Sequence, residues 1–194
     1  MTDRNRSLLI YSVRALLIGA PMLIYFNIIP FSMRFFTLVV AGIIVVSIAL
    51  MFRSGKFGFG YVNLKESISA GLGASLLVIA ISLFVSGGAR HDGLQTPLFY
   101  AFYIFVSCPL QELTFRGSLR VLLQGCSRSE VRFILESSAL YSIAHIIYRD
   151  PYILFGTFFL GLIWSLIYIL YNNIWGIIIS HVLVGVVTIY FGVI

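Results

Sequence analysis

Charge is what this sequence has least of. Only 10% of its 194 residues are Asp, Glu, Lys or Arg, while 60% are hydrophobic. A soluble domain carries about 25% charged residues, so a water-exposed globular surface is excluded. Cysteine is almost absent: there are two, Cys108 and Cys126, at the middle and the end of one apolar segment. They are too far apart along it to bridge, so a disulfide framework is excluded and free thiols are expected. Acidic residues number 7 against 13 basic ones. The basic residues are scattered at segment ends, which suits an anionic membrane face and not a nucleic acid. There is no HExxH, no internal repeat and no low-complexity tract.

What is present is a series of apolar segments. They predict an all-α polytopic transmembrane bundle of about seven spans, forming a single domain over residues 1–194: 8–29, 35–52, 64–85, 98–125, 130–148, 152–171 and 174–194. The first segment has no small-residue cleavage site behind it, so it reads as a retained helix. Gly71 and Gly73 read as packing notches in the third. With the N-terminus in the cytoplasm, inner segments hold Arg4, Arg6, Arg53, Lys56, Lys65, Arg128 and Arg132. Outer loops then hold only Arg34, Arg90 and Arg149, and seven against three favours that orientation.

The fourth segment has 28 residues. As a helix it would be roughly 42 Å long, against a hydrocarbon core of about 30 Å. Pro109 lies inside it and predicts a kink, since proline removes one backbone donor and clashes with the preceding turn. Just beyond are Gln111, Glu112 and Arg116, in the stretch CPLQELTFRGSL. A charge at membrane depth costs about 2.5–3.5 kcal/mol on insertion scales, and such residues mark functional sites by default. Glu112 and Arg116 are four apart, acid first, the favourable order on a helix.

Two histidines join them. The fourth and fifth segments form a hairpin turning near Ser127. Glu112 lies 15 residues before that turn and His145 lies 18 after it. Both therefore sit roughly 23–27 Å from its tip at 1.5 Å per residue. His181 is seven residues into the last segment, with Gly185 one turn later. A carboxylate and two imidazoles converging in a dry cavity could position and deprotonate a water. The same residues could instead form a zinc set, or a pair that only fixes helix register. Glu136 is expected to pair with Arg132 one turn back. Arg14 is expected to snorkel or to line the cavity, and Arg149-Asp150 to form a solvated turn.

QELTFRG after a proline, YSIAH some thirty residues on, the glycine-bearing FGTFFLGLIW and a last-helix histidine resemble the CAAX protease and bacteriocin-processing family. These are glutamic-type intramembrane endopeptidases and include the type II CAAX prenyl endopeptidases. The resemblance covers residues 97–194. It implies that Glu112 and Arg116 match the second acid and the arginine of the first motif. His145 matches the histidine that helps hold the water, and His181 the oxyanion-side histidine. It implies no metal and no cofactor. The partners it implies are the bilayer and a membrane-anchored peptide or protein substrate, and the short chain suggests a bacterial plasma membrane. The sequence departs from the pattern twice. The first glutamate, the usual base, falls on Gln111, and the asparagine that follows the last histidine falls on Gly185. Three readings stay open: Glu112 is the base, Gln111 is an inactivating replacement, or the chain is a scaffold or immunity-type protein that binds a peptide without cutting it.

Overall fold

The computed structural model describes residues 3–52, 57–85, 95–123 and 129–192. Arg53, Lys56, Arg90, Cys126, Arg128 and the side chain of Arg4 lie outside the described residues. Among the described residues there are seven helices and no strand. They are α1 (Asp3–Tyr25), α2 (Arg34–Leu50), α3 (Leu64–Val85), α4 (Pro97–Leu123), α5 (Glu130–Ala144), α6 (Pro151–Tyr171) and α7 (Trp175–Tyr190). Five of them, α1–α4 and α6, are long and apolar enough to cross a membrane, and α7 is a shorter apolar helix. Large apolar side chains such as Phe84, Leu98 and Phe105 point outward, as lipid-facing residues do. The chain is a multi-pass integral membrane protein built from helices alone, which lets every span satisfy its backbone internally.

The ends of the helices follow local chemistry. The sequence predicts one segment over 130–148, but α5 stops at Ala144. His145 takes φ −93°, ψ 0°, a short 3-10 turn follows over Ile146–Tyr148, and Arg149 is left-handed at φ 56°. Asp150-Pro151 then starts the next helix. A residue before proline is pushed out of the helical region, and the Asp150 carboxylate caps α6 by accepting from the Tyr152 and Ile153 amides at 2.7 and 3.3 Å. Arg149 is exposed in this turn, as expected, and is also tied down. It donates to the Tyr25 carbonyl at 2.5 Å and to Asn27 Oδ1 at 2.9 Å, covering an orphan carbonyl at the end of α1.

α4 breaks its ladder on both sides of Pro109. Turns over Tyr103–Ser107 and Leu113–Ser118 are π-helical, and a five-residue α segment, Cys108–Glu112, lies between them. The Cys108 amide reaches back five residues to the Tyr103 carbonyl. The disturbance expected from proline is thus spread over two widened turns. Such π-bulges are frequent at functional sites.

The chain divides into two compact units, Met1–Phe57 with Leu113–Ser165, and Gly58–Glu112 with Leu166–Ile194. In the first, α1 and α5 are joined by Arg14 and Glu136. The guanidinium donates from Nε at 2.5 Å and from Nη2 at 2.8 Å, while Arg132 stands at 3.8 Å. The main partner of Glu136 is therefore Arg14 and not Arg132: two hydrogen bonds from a planar guanidinium outweigh one longer contact on the same helix. Ser137 on α5 donates to the Phe115 carbonyl at 2.7 Å and accepts from Ser165 at 3.2 Å.

The second unit is built on the crossing of α3 and α7. Ser67, Gly71 and Ser75 make a small-residue stripe on α3. A Cβ on Gly71 would strike the Gly176 backbone, and one on Gly176 would strike Ser67. Ser75 Oγ donates to the Gly71 carbonyl at 2.8 Å and is hydrogen-bonded to Ser180 Oγ at 2.9 Å. Close backbone approach with hydroxyl bonds is how helices hold together where lipid supplies no hydrophobic drive. Gly73, the second expected notch, has nothing within 4 Å of its Cβ position, because it points to another side of α3.

Candidate active site

Within the second unit, the α segment between the two π turns carries Glu112, and α7 carries His181. Glu112 is fully buried and His181 is 2% exposed. Glu112 Oε1 accepts from His181 Nδ1 at 2.7 Å. This short, charge-assisted bond in a buried site fixes the ring and its tautomer. The register of α7 that makes it possible is set by the α3 crossing, since Ser180, next to His181, is bonded to Ser75.

Three more side chains of this unit surround the pair. Cys108, one turn before Glu112, is a fully buried free cysteine, and it lies near enough to the His181 ring to act on it electrostatically. Gln111 is half-buried and donates from Nε2 to Ser107 Oγ at 2.9 Å. A carboxamide in that place can hold a water but cannot take its proton. Tyr103 meets the His181 ring edge-on, with centroids 6.1 Å apart and planes at 80°. Its hydroxyl stands where a Cβ on Gly185 would be. Sequence reasoning missed Tyr103 because 82 residues separate it from Gly185 (185 − 103). The only trace was the absence of a side chain at 185.

His145 and Arg116 belong to the first unit. His145 caps α5 and its Nδ1 donates to the Tyr141 carbonyl at 2.8 Å. A carbonyl only accepts, so the neutral ring carries its basic lone pair on Nε2. The ring packs on Tyr141 with centroids 4.7 Å apart. Arg116 is fully buried. Its guanidinium lies 4.6 Å from the Tyr141 ring centre and 5.5 Å from that of Trp164, and Nη2 donates to the Gly161 carbonyl at 3.3 Å. Two aromatic faces and a carbonyl thus hold a cation out of lipid. The Trp164 face is the other feature that sequence reasoning did not find.

Among the described residues, no group of three or more His, Cys, Asp or Glu side chains is arranged to hold a metal ion. Residues 93–187 match the family model described as type II CAAX prenyl endopeptidase Rce1-like. No curated protein and no solved structure matches the chain.

Proposed function

We propose, from the match of residues 93–187 to the family model described as type II CAAX prenyl endopeptidase Rce1-like, that this chain hydrolyses a peptide bond of a small membrane-anchored peptide or protein. The observation that carries the reading is the buried 2.7 Å bond between Glu112 and His181. An acid and an imidazole sharing a proton act as one acid–base unit. Water attacks the carbonyl carbon, its proton passes to the pair, and the pair returns that proton to the leaving amine as the C–N bond breaks. Gln111 can orient the water by hydrogen bonding. The family resemblance implies a water-holding role for His145 and matches Arg116 to the arginine of the first motif. Seven inner basic residues against three outer ones support a cytoplasmic N-terminus, and a bacterial plasma membrane suits the short chain.

The free, buried thiol of Cys108 close to the His181 imidazole favours a second reading, with Cys108 as nucleophile. Its thiolate would attack the carbonyl, the amine would leave with the histidine's proton, and water would then hydrolyse the thioester. One experiment separates the two. The chain is reconstituted in liposomes with a myristoylated reporter peptide, and cleavage is followed by mass spectrometry. Glu112→Gln should lower the rate by about 10²–10⁴-fold, the usual share of general acid–base catalysis. Cys108→Ala should leave the rate within a few-fold. Loss of cleavage in Cys108→Ala would move the chemistry to the thiol. A wild-type chain that binds membrane peptides and cuts none would make it a scaffold.

A further inference from the structure

Gly185 is four residues after His181 on α7, so the two positions share a helix face one turn apart. Position 185 presents no side chain, and the space is filled from α4: the Tyr103 hydroxyl oxygen and the adjacent ring carbons occupy the place of a Cβ on Gly185. The ring is braced on its other side by Phe99, stacked at 6.1 Å and 16°. Its edge faces His181. Tyr103 itself starts the π turn that precedes Cys108. An O–H group is thus held on the same face as the buried acid–base pair, one helical turn from the imidazole. Tyr103 is half-buried while Glu112 and His181 are buried. A carbonyl that reaches the imidazole therefore has the phenol beside it.

We propose that the Tyr103 hydroxyl is a catalytic residue of this site, donating a hydrogen bond to the oxygen of the substrate carbonyl as it becomes an oxyanion; the proposal rests on the hydrolytic reading above. A donor preorganised where negative charge develops acts on the transition state more than on the bound substrate. A phenol suits the task in a membrane, because its ring packs as an apolar group while its O–H can donate a hydrogen bond. Gly185 is then a specific requirement of the site, since any side chain there would push the hydroxyl away.

The test compares wild type, Tyr103→Phe and Gly185→Ala in nanodiscs. Cleavage of a myristoylated peptide is measured first. Binding of a myristoylated hexa-alanine aldehyde, whose hydrate mimics the tetrahedral adduct, is then measured against binding of the matching amide. Tyr103→Phe keeps the ring and should lower kcat by about 10²–10³-fold, the range for a lost oxyanion donor, with KM within about twofold. It should weaken the aldehyde by at least tenfold and leave the amide unchanged. Gly185→Ala should do the same by displacing the ring. Tyr103→Phe that cleaves and binds like wild type overturns the proposal and leaves the hydrolytic reading standing. Equal weakening of aldehyde and amide also overturns it, assigning Tyr103 to packing. If the wild-type chain cleaves nothing, the hydrolytic reading fails, and the aldehyde-to-amide ratio alone then decides whether Tyr103 serves an oxyanion. A wild-type ratio near one overturns the proposal as well.

Discussion

Arg14 and Glu136 are joined by two hydrogen bonds, Nε to Oε1 at 2.5 Å and Nη2 to Oε2 at 2.8 Å, across 122 residues of sequence. Each side chain keeps about a fifth of its surface or less exposed. In an apolar medium such a pair costs most when only one partner is removed, because the other is left buried and charged. Arg14→Leu alone should destabilise the protein by about 3 kcal/mol. Arg14→Leu with Glu136→Leu should be less harmful than either single change. A double-mutant cycle on thermal unfolding in detergent checks this, and additive effects would reject the coupling.

Position 111 gives the sharpest kinetic test. Gln and Glu have nearly the same shape, so Gln111→Glu should not disturb the fold. With Glu112 and His181 as the acid–base unit, a second adjacent carboxylate competes for ionisation, and the rate should stay level or fall. A rise of about 10²-fold or more in peptide cleavage would show instead that position 111 is the place of the base and that Gln111 disables it.

The α3–α7 crossing predicts opposite outcomes for a glycine inside it and a glycine outside it. Gly176→Ala drives a Cβ into the Ser67 backbone and should cost about 1–3 kcal/mol by overpacking. It should also lower activity, because the crossing positions His181. Gly73→Ala meets nothing within 4 Å and should be neutral or stabilising by up to about 1 kcal/mol. Melting temperatures of the two variants, measured side by side, test the pair of expectations.

Arg116 is held by shape as well as by charge. Lysine keeps the charge but loses the flat guanidinium that lies against Tyr141 and Trp164. Arg116→Lys should therefore destabilise the protein by roughly 2 kcal/mol, the scale of a desolvated cation–π contact. Trp164→Leu should lose a similar amount and should not add to it. Full stability of Arg116→Lys in a thermal unfolding assay would show that charge alone matters there.

His145 separates stability from chemistry. His145→Gln removes the Nδ1 bond to the Tyr141 carbonyl, worth about 1 kcal/mol. If the role implied by the family resemblance holds, it should also lower kcat/KM by about 10²-fold or more. A variant that melts slightly earlier but cleaves at the wild-type rate would reduce His145 to a helix cap.

The sequence by itself determined that the chain is helical and membrane-embedded. That follows from composition and segment length, which are one-dimensional properties: lipid permits helices, and apolar runs of about 20 residues span it. Glu112, Arg116 and His181 also stood out alone, because a polar group at membrane depth is costly wherever it points. The disturbance around Pro109 was visible too, since a missing N–H is local. The partners were not visible. Glu136 had a well-spaced arginine one turn away, yet Arg14 from another helix holds it. Gly71 and Gly73 look alike on paper, and only the face on which α7 arrives separates them. Gly185 read as a lost side chain until the fold brought Tyr103 into the space. Hydrogen bonds and close contacts between helices depend on their rotation and depth to within about an ångström, and spacing along the chain does not encode either. Tertiary packing decided them, and with them which acid meets which histidine.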